Sequence, residues 1–156
     1  MDPPVKAEDF ARSASWGEIE QAEPEFVSAV RKCFGVRKHC TMATLRRDGS
    51  PRISGTEIQF EDGEVRIGSM PRAVKALDLQ RDPRIALHSP TVDPSEDDPT
   101  NWDGEAKVTG RAIEEDSNGE SHRFRIEITE VVWTRVGNGL EITSWHPDRG
   151  LQIRRR

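Results

Sequence analysis

Residues 65–87 read VRIGSMPRAVKALDLQRDPRIAL, and the change of period inside this stretch decides the fold. Val65 and Ile67 alternate with polar neighbours, as on a half-buried strand. Pro71 breaks that alternation. Ala73, Val74, Lys75, Ala76, Leu77 and Leu79 then form a run made mostly of good helix formers. Asp82-Pro83 stops the helix, because the residue before a proline disfavours the α region. Ile85 and Leu87 resume the two-residue period on a further strand. One helix therefore interrupts an otherwise extended chain.

Upstream, Asp62-Gly63 and Asp48-Gly49 separate three extended runs at 40–45, 51–60 and 64–68. Each Asp-Gly supplies the positive φ of a tight hairpin turn, so these runs form an antiparallel meander. Further upstream, Ser15 and Glu18 have the spacing of a capping box. Pro24 suits the first turn of a second helical segment, whose stripe is Phe26, Val27, Val30 and Phe34. Gly35 ends it.

Downstream, Pro90, Pro94 and Pro99 lie among Asp93, Glu96, Asp97 and Asp98 in a solvated loop. Residues 105–113 alternate cleanly, with Ala106, Val108, Gly110 and Ala112 on one face. Asn118-Gly119 marks a turn. Residues 122–136 form a long strand in which Phe124, Ile126 and Ile128 share a face. The parity changes near Thr129, which predicts a bulge. Gly137-Asn138-Gly139 predicts a hairpin into a last strand at 140–145. Six to seven strands joined by tight turns argue for a mainly β (α+β) antiparallel barrel, with an N-terminal helix and a helix between strands 3 and 4. The expected organisation is a flexible tail over 1–14, one domain over 15–150 and a basic tail over 151–156.

The 156 residues suit a single domain, with 33% apolar and 33% charged residues. Such a core is lean, and oligomerisation is the natural remedy. A formal net charge of −5 argues against nucleic acid as a partner. No run of about 18 apolar residues exists to span a membrane. Two cysteines and no apolar leader point to the cytoplasm. No nucleophile triad or metal-ligand spacing stands out.

Three stretches can carry chemistry. After the third strand, Gly68, Ser69 and Met70 lead into a helix start bearing Arg72 and Lys75. Such a terminus favours an anion such as phosphate; the alternative is two solvated cations. In the second strand, Arg52, Ser54 and Thr56 share a face and Gly55 is centred among them, which marks close approach of a ligand or simply an exposed face. Near the end, Trp145 can stack on a planar ring or close the barrel, beside His146 and Arg149.

With these residues in view, the chain resembles the pyridoxamine 5′-phosphate oxidase-like, flavin-binding split-barrel superfamily. ATLRRDGSPR at 43–52 is similar to the family's opening hairpin. RAVKALDLQRDPRIAL at 72–87 is similar to its lysine-bearing helix that ends at a DPR, and EAKVTGRA at 105–112 to a later strand. The likeness runs over about residues 40–149. It implies a split barrel that works as a homodimer, with cofactor sites at the subunit interface. It implies FMN as cofactor, the deazaflavin coenzyme F-420 as the alternative and haem as a third choice, with His88 or His122 on the iron. Lys75 would take the cofactor phosphate. Arg52, Ser54, Gly55, Thr56, Gly68, Ser69, Met70 and Arg72 would line the site, and Trp145 and Arg149 would approach it. The function implied is hydride transfer to or from a small organic substrate, or else carriage of flavin or haem without turnover. Val74 stands where the vitamin B6 oxidases carry an arginine before the lysine, so the resemblance is to the superfamily and not to that activity.

Overall fold

The computed structural model describes residues 12–117 and 119–156. Two helices come first, α1 (Trp16–Ala22) and α2 (Pro24–Phe34). The predicted capping box closes α1: Ser15 Oγ accepts from Glu18 N–H at 3.2 Å, and Glu18 accepts from Ser15 N–H at 3.1 Å. Such a cap contributes about 1 kcal/mol. Pro24 begins α2, and its buried stripe is Phe26, Val27, Val30, Cys33 and Phe34.

The strands are β1 (His39–Leu45), β2 (Pro51–Glu61), β3 (Glu64–Ser69), β4 (Arg84–His88), β5 (Glu105–Glu115), β6 (His122–Gly137), β7 (Gly139–His146) and β8 (Gly150–Arg155), with α3 (Val74–Arg81) between β3 and β4. All pairings are antiparallel in the order β3-β2-β1-β4-β5-β6-β7-β8, and β3 also pairs with β6. That last pairing closes β1 to β6 into a six-stranded barrel, and β7 and β8 extend the sheet beyond it. Phe124, Ile126, Ile128, Val131, Val108 and Met42 fill the interior, with α1 and α2 packed against it.

The parity change in β6 is a bulge. Thr109 pairs with Glu130 and Gly110 with Ile128, which leaves Thr129 as the extra residue. Gly110 is required there, because a Cβ would fall 2.0 Å from the Glu127 carbonyl oxygen.

Three expectations change. The basic stretch expected as a C-terminal tail is β8, held along β7 from Glu141–Arg155 to His146–Gly150. Its arginines obscure the strand, and charged residues are what an edge strand carries. The expected N-terminal tail ends sooner: Ala14 is buried and exchanges backbone hydrogen bonds with Ile128. The rest of that tail (1–11), and Asn118 of the expected Asn118-Gly119 turn, lie outside the described residues. Finally, the described residues form eight strands.

No described helix is long and apolar enough to cross a membrane. Among the described residues no three His, Cys, Asp or Glu side chains cluster as a metal site. Burial pushes both thiols, Cys33 and Cys40, up to about 11, which keeps them protonated and unreactive at neutral pH.

Candidate functional site

The closure of β3 on β6 creates a cleft that neither strand forms alone. Ser69 pairs with His122 and Gly68 with Arg123. The end of β3, the 70–73 turn, the start of α3 and the centre of β2 surround a space of about 770 Å³. Its walls include Gly55 and Thr56 from β2, Gly68, Ser69 and Met70 from β3 and the turn, Lys75 from α3, and His122 and Arg123 from β6.

Lys75 is the second residue of α3. Its ammonium donates to the Gly55 carbonyl at 2.8 Å, which holds it across the cleft. No described side chain caps the N-terminus of α3, whose N-cap position is Ala73. Uncapped first-turn N–H groups and the helix dipole favour an anion beside the Lys75 charge. Ser69 lines the same wall. Its Oγ is buried and has no hydrogen-bond partner among the described residues. At Gly55 a Cβ would meet nothing within 4 Å, so packing of this chain does not demand glycine there. A glycine keeps that wall flat, which suits a planar ring laid on the strand. These features fit a flat cofactor that ends in a phosphate.

The structure thus brings together Lys75, Gly55, Thr56, Gly68, Ser69 and Met70. Arg72 is present through its backbone, whose N–H donates to His122 Nε2 at 3.2 Å. Four other expected site residues lie elsewhere within the chain. Arg52 points at α3 and binds the buried Asp78 carboxylate, Nε to Oδ2 at 2.7 Å. Ser54 lies opposite Met42 and does not line the cleft. Trp145 is buried in the core and pairs with Val131, nine residues along β6 from His122. At the usual rise that is roughly 30 Å of strand. Arg149 sits in the β7–β8 turn, 3.8 Å from Asp148. Neither Trp145 nor Arg149 meets the Lys75 cleft of its own chain.

Sequence reading missed Arg123, Asp116, Ser117 and Ser121 on the far wall. The β3–β6 pairing that delivers them is long-range, and no local pattern announces it. Each histidine offered for haem has one nitrogen at hydrogen-bond distance from the backbone and the other nearer a carboxylate. His122 Nε2 accepts from Arg72, and Nδ1 lies 3.6 Å from Glu114. His88 Nδ1 lies 2.6 Å from the Ser89 carbonyl, and Nε2 lies 3.5 Å from Glu105.

No family model matches the chain. No curated protein matches it either. Solved structures do. One is PhzG from Burkholderia lata 383, in complex with tetrahydrophenazine-1-carboxylic acid: 9% identity over 90% of this chain and 92% of that one, TM-score 0.64. A second is a pyridoxamine 5′-phosphate oxidase-related, FMN-binding protein from Nostoc punctiforme PCC 73102: 11% identity, 85% and 94% covered, TM-score 0.61. An F420 reductase aligns at 12% identity, 65% and 94% covered, TM-score 0.50. The chain therefore has the split-barrel fold of the pyridoxamine 5′-phosphate oxidase-related proteins.

Proposed function

Starting from that fold, we propose that the chain binds FMN in the Lys75 cleft and acts as an oxidoreductase on a small organic substrate. The deazaflavin coenzyme F-420 is the alternative cofactor. The observation that carries this reading is convergence. A cationic Lys75 and an uncapped helix start meet in one cleft beside a flat glycine wall. When bound, the isoalloxazine supplies the hydride-transferring centre, so the protein needs no acid or base of its own for that step. In this reading Lys75 releases the Gly55 carbonyl and pairs with the phosphate. Ser69 and Met70 would flank the cofactor from the end of β3.

Purified protein is expected to quench FMN or deazaflavin fluorescence with sub-millimolar affinity. Absence of binding to both contradicts the reading. Reduction of bound cofactor by NAD(P)H, followed by reoxidation with an organic acceptor, separates an enzyme from a carrier.

A homodimer belongs to the same proposal. On the outer face of the sheet, Ile53, Ala43, Ala86 and Thr109 form one row across β2, β1, β4 and β5. Ile53 is 76% exposed, and beside it Ala43, Leu45, Pro51 and Ala86 border an apolar groove of about 380 Å³. A second copy is the occupant that the lean core calls for. Trp145 and Arg149 enter the reading as that copy's contributions to the cleft. Ile53→Glu is expected to convert the dimer to a folded monomer by light scattering. A wild-type monomer at micromolar concentration, or an Ile53→Glu variant that stays dimeric, counts against this interface.

A further inference from the structure

His122 opens β6, stacked on Phe124 with centroids 6.4 Å apart and only 17° between ring planes. Its Nε2 accepts the Arg72 backbone N–H at 3.2 Å. A backbone N–H can only donate, so Nε2 must carry a lone pair, and the neutral ring holds its proton on Nδ1. Nδ1 faces Glu114 Oε1 at 3.6 Å. The Gln80 amide, 3.5 Å from Nδ1, fixes Glu114 by donating to both its oxygens at 3.2 and 2.9 Å. The ring is thus oriented from α3 and β5, with its acceptor aimed at the turn.

That turn needs an anchor. Arg72 has φ of 59°, one of two positive φ values at non-glycine positions among the described residues. A left-handed arginine is strained, because its Cβ crowds the following carbonyl. The turn carries Met70 and Pro71 into the cleft wall and sets where α3, and with it Lys75, begins.

We propose that His122 is a positioning residue. Its neutral imidazole pins the 70–73 turn and keeps the cleft assembled, and protonation at Nε2 loosens it. Protonation places a hydrogen on Nε2 that confronts the Arg72 N–H; two donors then face each other and the bond is lost. The charged groups around the ring are Glu114 from β5, Arg123 beside it on β6, Arg72 on the turn, and Lys75 and Asp116 across the cleft. None of them restores an acceptor at Nε2. The link to the cofactor rests on the function proposed above; the anchoring of the turn does not.

The test begins on cofactor-free protein by nitrogen-15 NMR. At about pH 8, His122 is expected as the Nδ1–H tautomer with the Arg72 amide protected from exchange, and at about pH 5 that protection falls about tenfold relative to neighbouring strand amides. His122→Gln, whose side-chain oxygen accepts without titrating, keeps the protection at both pH values. His122→Ala loses it at both. FMN is the probe for the second arm. Between those pH values wild type should lose about fivefold more FMN affinity than His122→Gln, which shares the titration of the FMN phosphate itself. An Nε2–H tautomer, or equal Arg72 protection in wild type and His122→Ala, overturns the anchor. Equal pH dependence of FMN affinity in wild type and His122→Gln overturns the coupling. Intact Arg72 behaviour with no FMN or deazaflavin binding leaves the anchor standing and removes the cofactor reading.

Discussion

Asp78→Ala is expected to destabilise the protein by about 3 kcal/mol, which lowers Tm by about 10 °C for a chain of this size. Asp78 lies on α3 with its side chain 3% exposed. Its carboxylate accepts from Thr44 Oγ1 at 2.8 Å, Arg52 Nε at 2.7 Å and Arg81 at 3.1 Å. One carboxylate thus ties α3 to β1 and β2. Removing it leaves two guanidinium groups and a buried hydroxyl without their acceptor, and breaking such a pair from one side is costly. The lower end of the usual range applies, because Arg52 and Arg81 are partly exposed and can turn to water.

The same site has a pH signature. Burial by itself would raise the Asp78 carboxyl. Hydrogen bonds from Arg52, Thr44 and Arg81 outweigh that and hold it below its ordinary value. A depressed carboxylate contributes stability in full above its unfolded value, near pH 4, and loses it as the pH falls toward the folded value. The stability gap between wild type and Asp78→Ala should therefore be widest near neutrality and narrow below about pH 4 in urea titrations. A gap that stays constant down to about pH 3 would show that Asp78 contributes through packing and not through its charge.

Asp78 also shows where sequence reading stopped. It stands in the run that was legible as a helix, yet little local marks it as the buried anchor of that helix, since Thr44 and Arg52 reach it from two earlier strands. The strand-to-helix switch at 65–75 was legible because both periods are local. So was the bulge, since inserting Thr129 exchanges the faces of β6 and leaves a parity change in the sequence. Arg52 shares a face with Thr56 as alternation requires, but the Arg52 side chain turns to Asp78. Trp145 offered two readings, ring stacking or barrel packing. Within one chain its burial favours packing, because β7 joins the sheet far along β6 from the cleft. His122 was legible only as an isolated histidine, and the β3–β6 closure makes it a wall of the site.

The claim at the centre of the account is that the Lys75 cleft receives the phosphate of a flavin-type cofactor. Lys75→Ala removes a charge-assisted hydrogen bond worth roughly 1.5–3 kcal/mol, or about tenfold to a hundredfold in affinity. Fold should survive, since the ammonium has the Gly55 carbonyl as its hydrogen-bond partner and that carbonyl can turn to water. Lys32→Ala, on α2 and paired with Asp103 at the surface, is the control and should leave affinity unchanged. The decisive measurement is a fluorescence titration of FMN and of the deazaflavin against wild type, Lys75→Ala and Lys32→Ala at low salt, with circular dichroism confirming equal folding. A loss of about tenfold or more confined to Lys75→Ala is the predicted result. Equal affinity in all three proteins would contradict it, and the phosphate site would then have to be sought away from the start of α3.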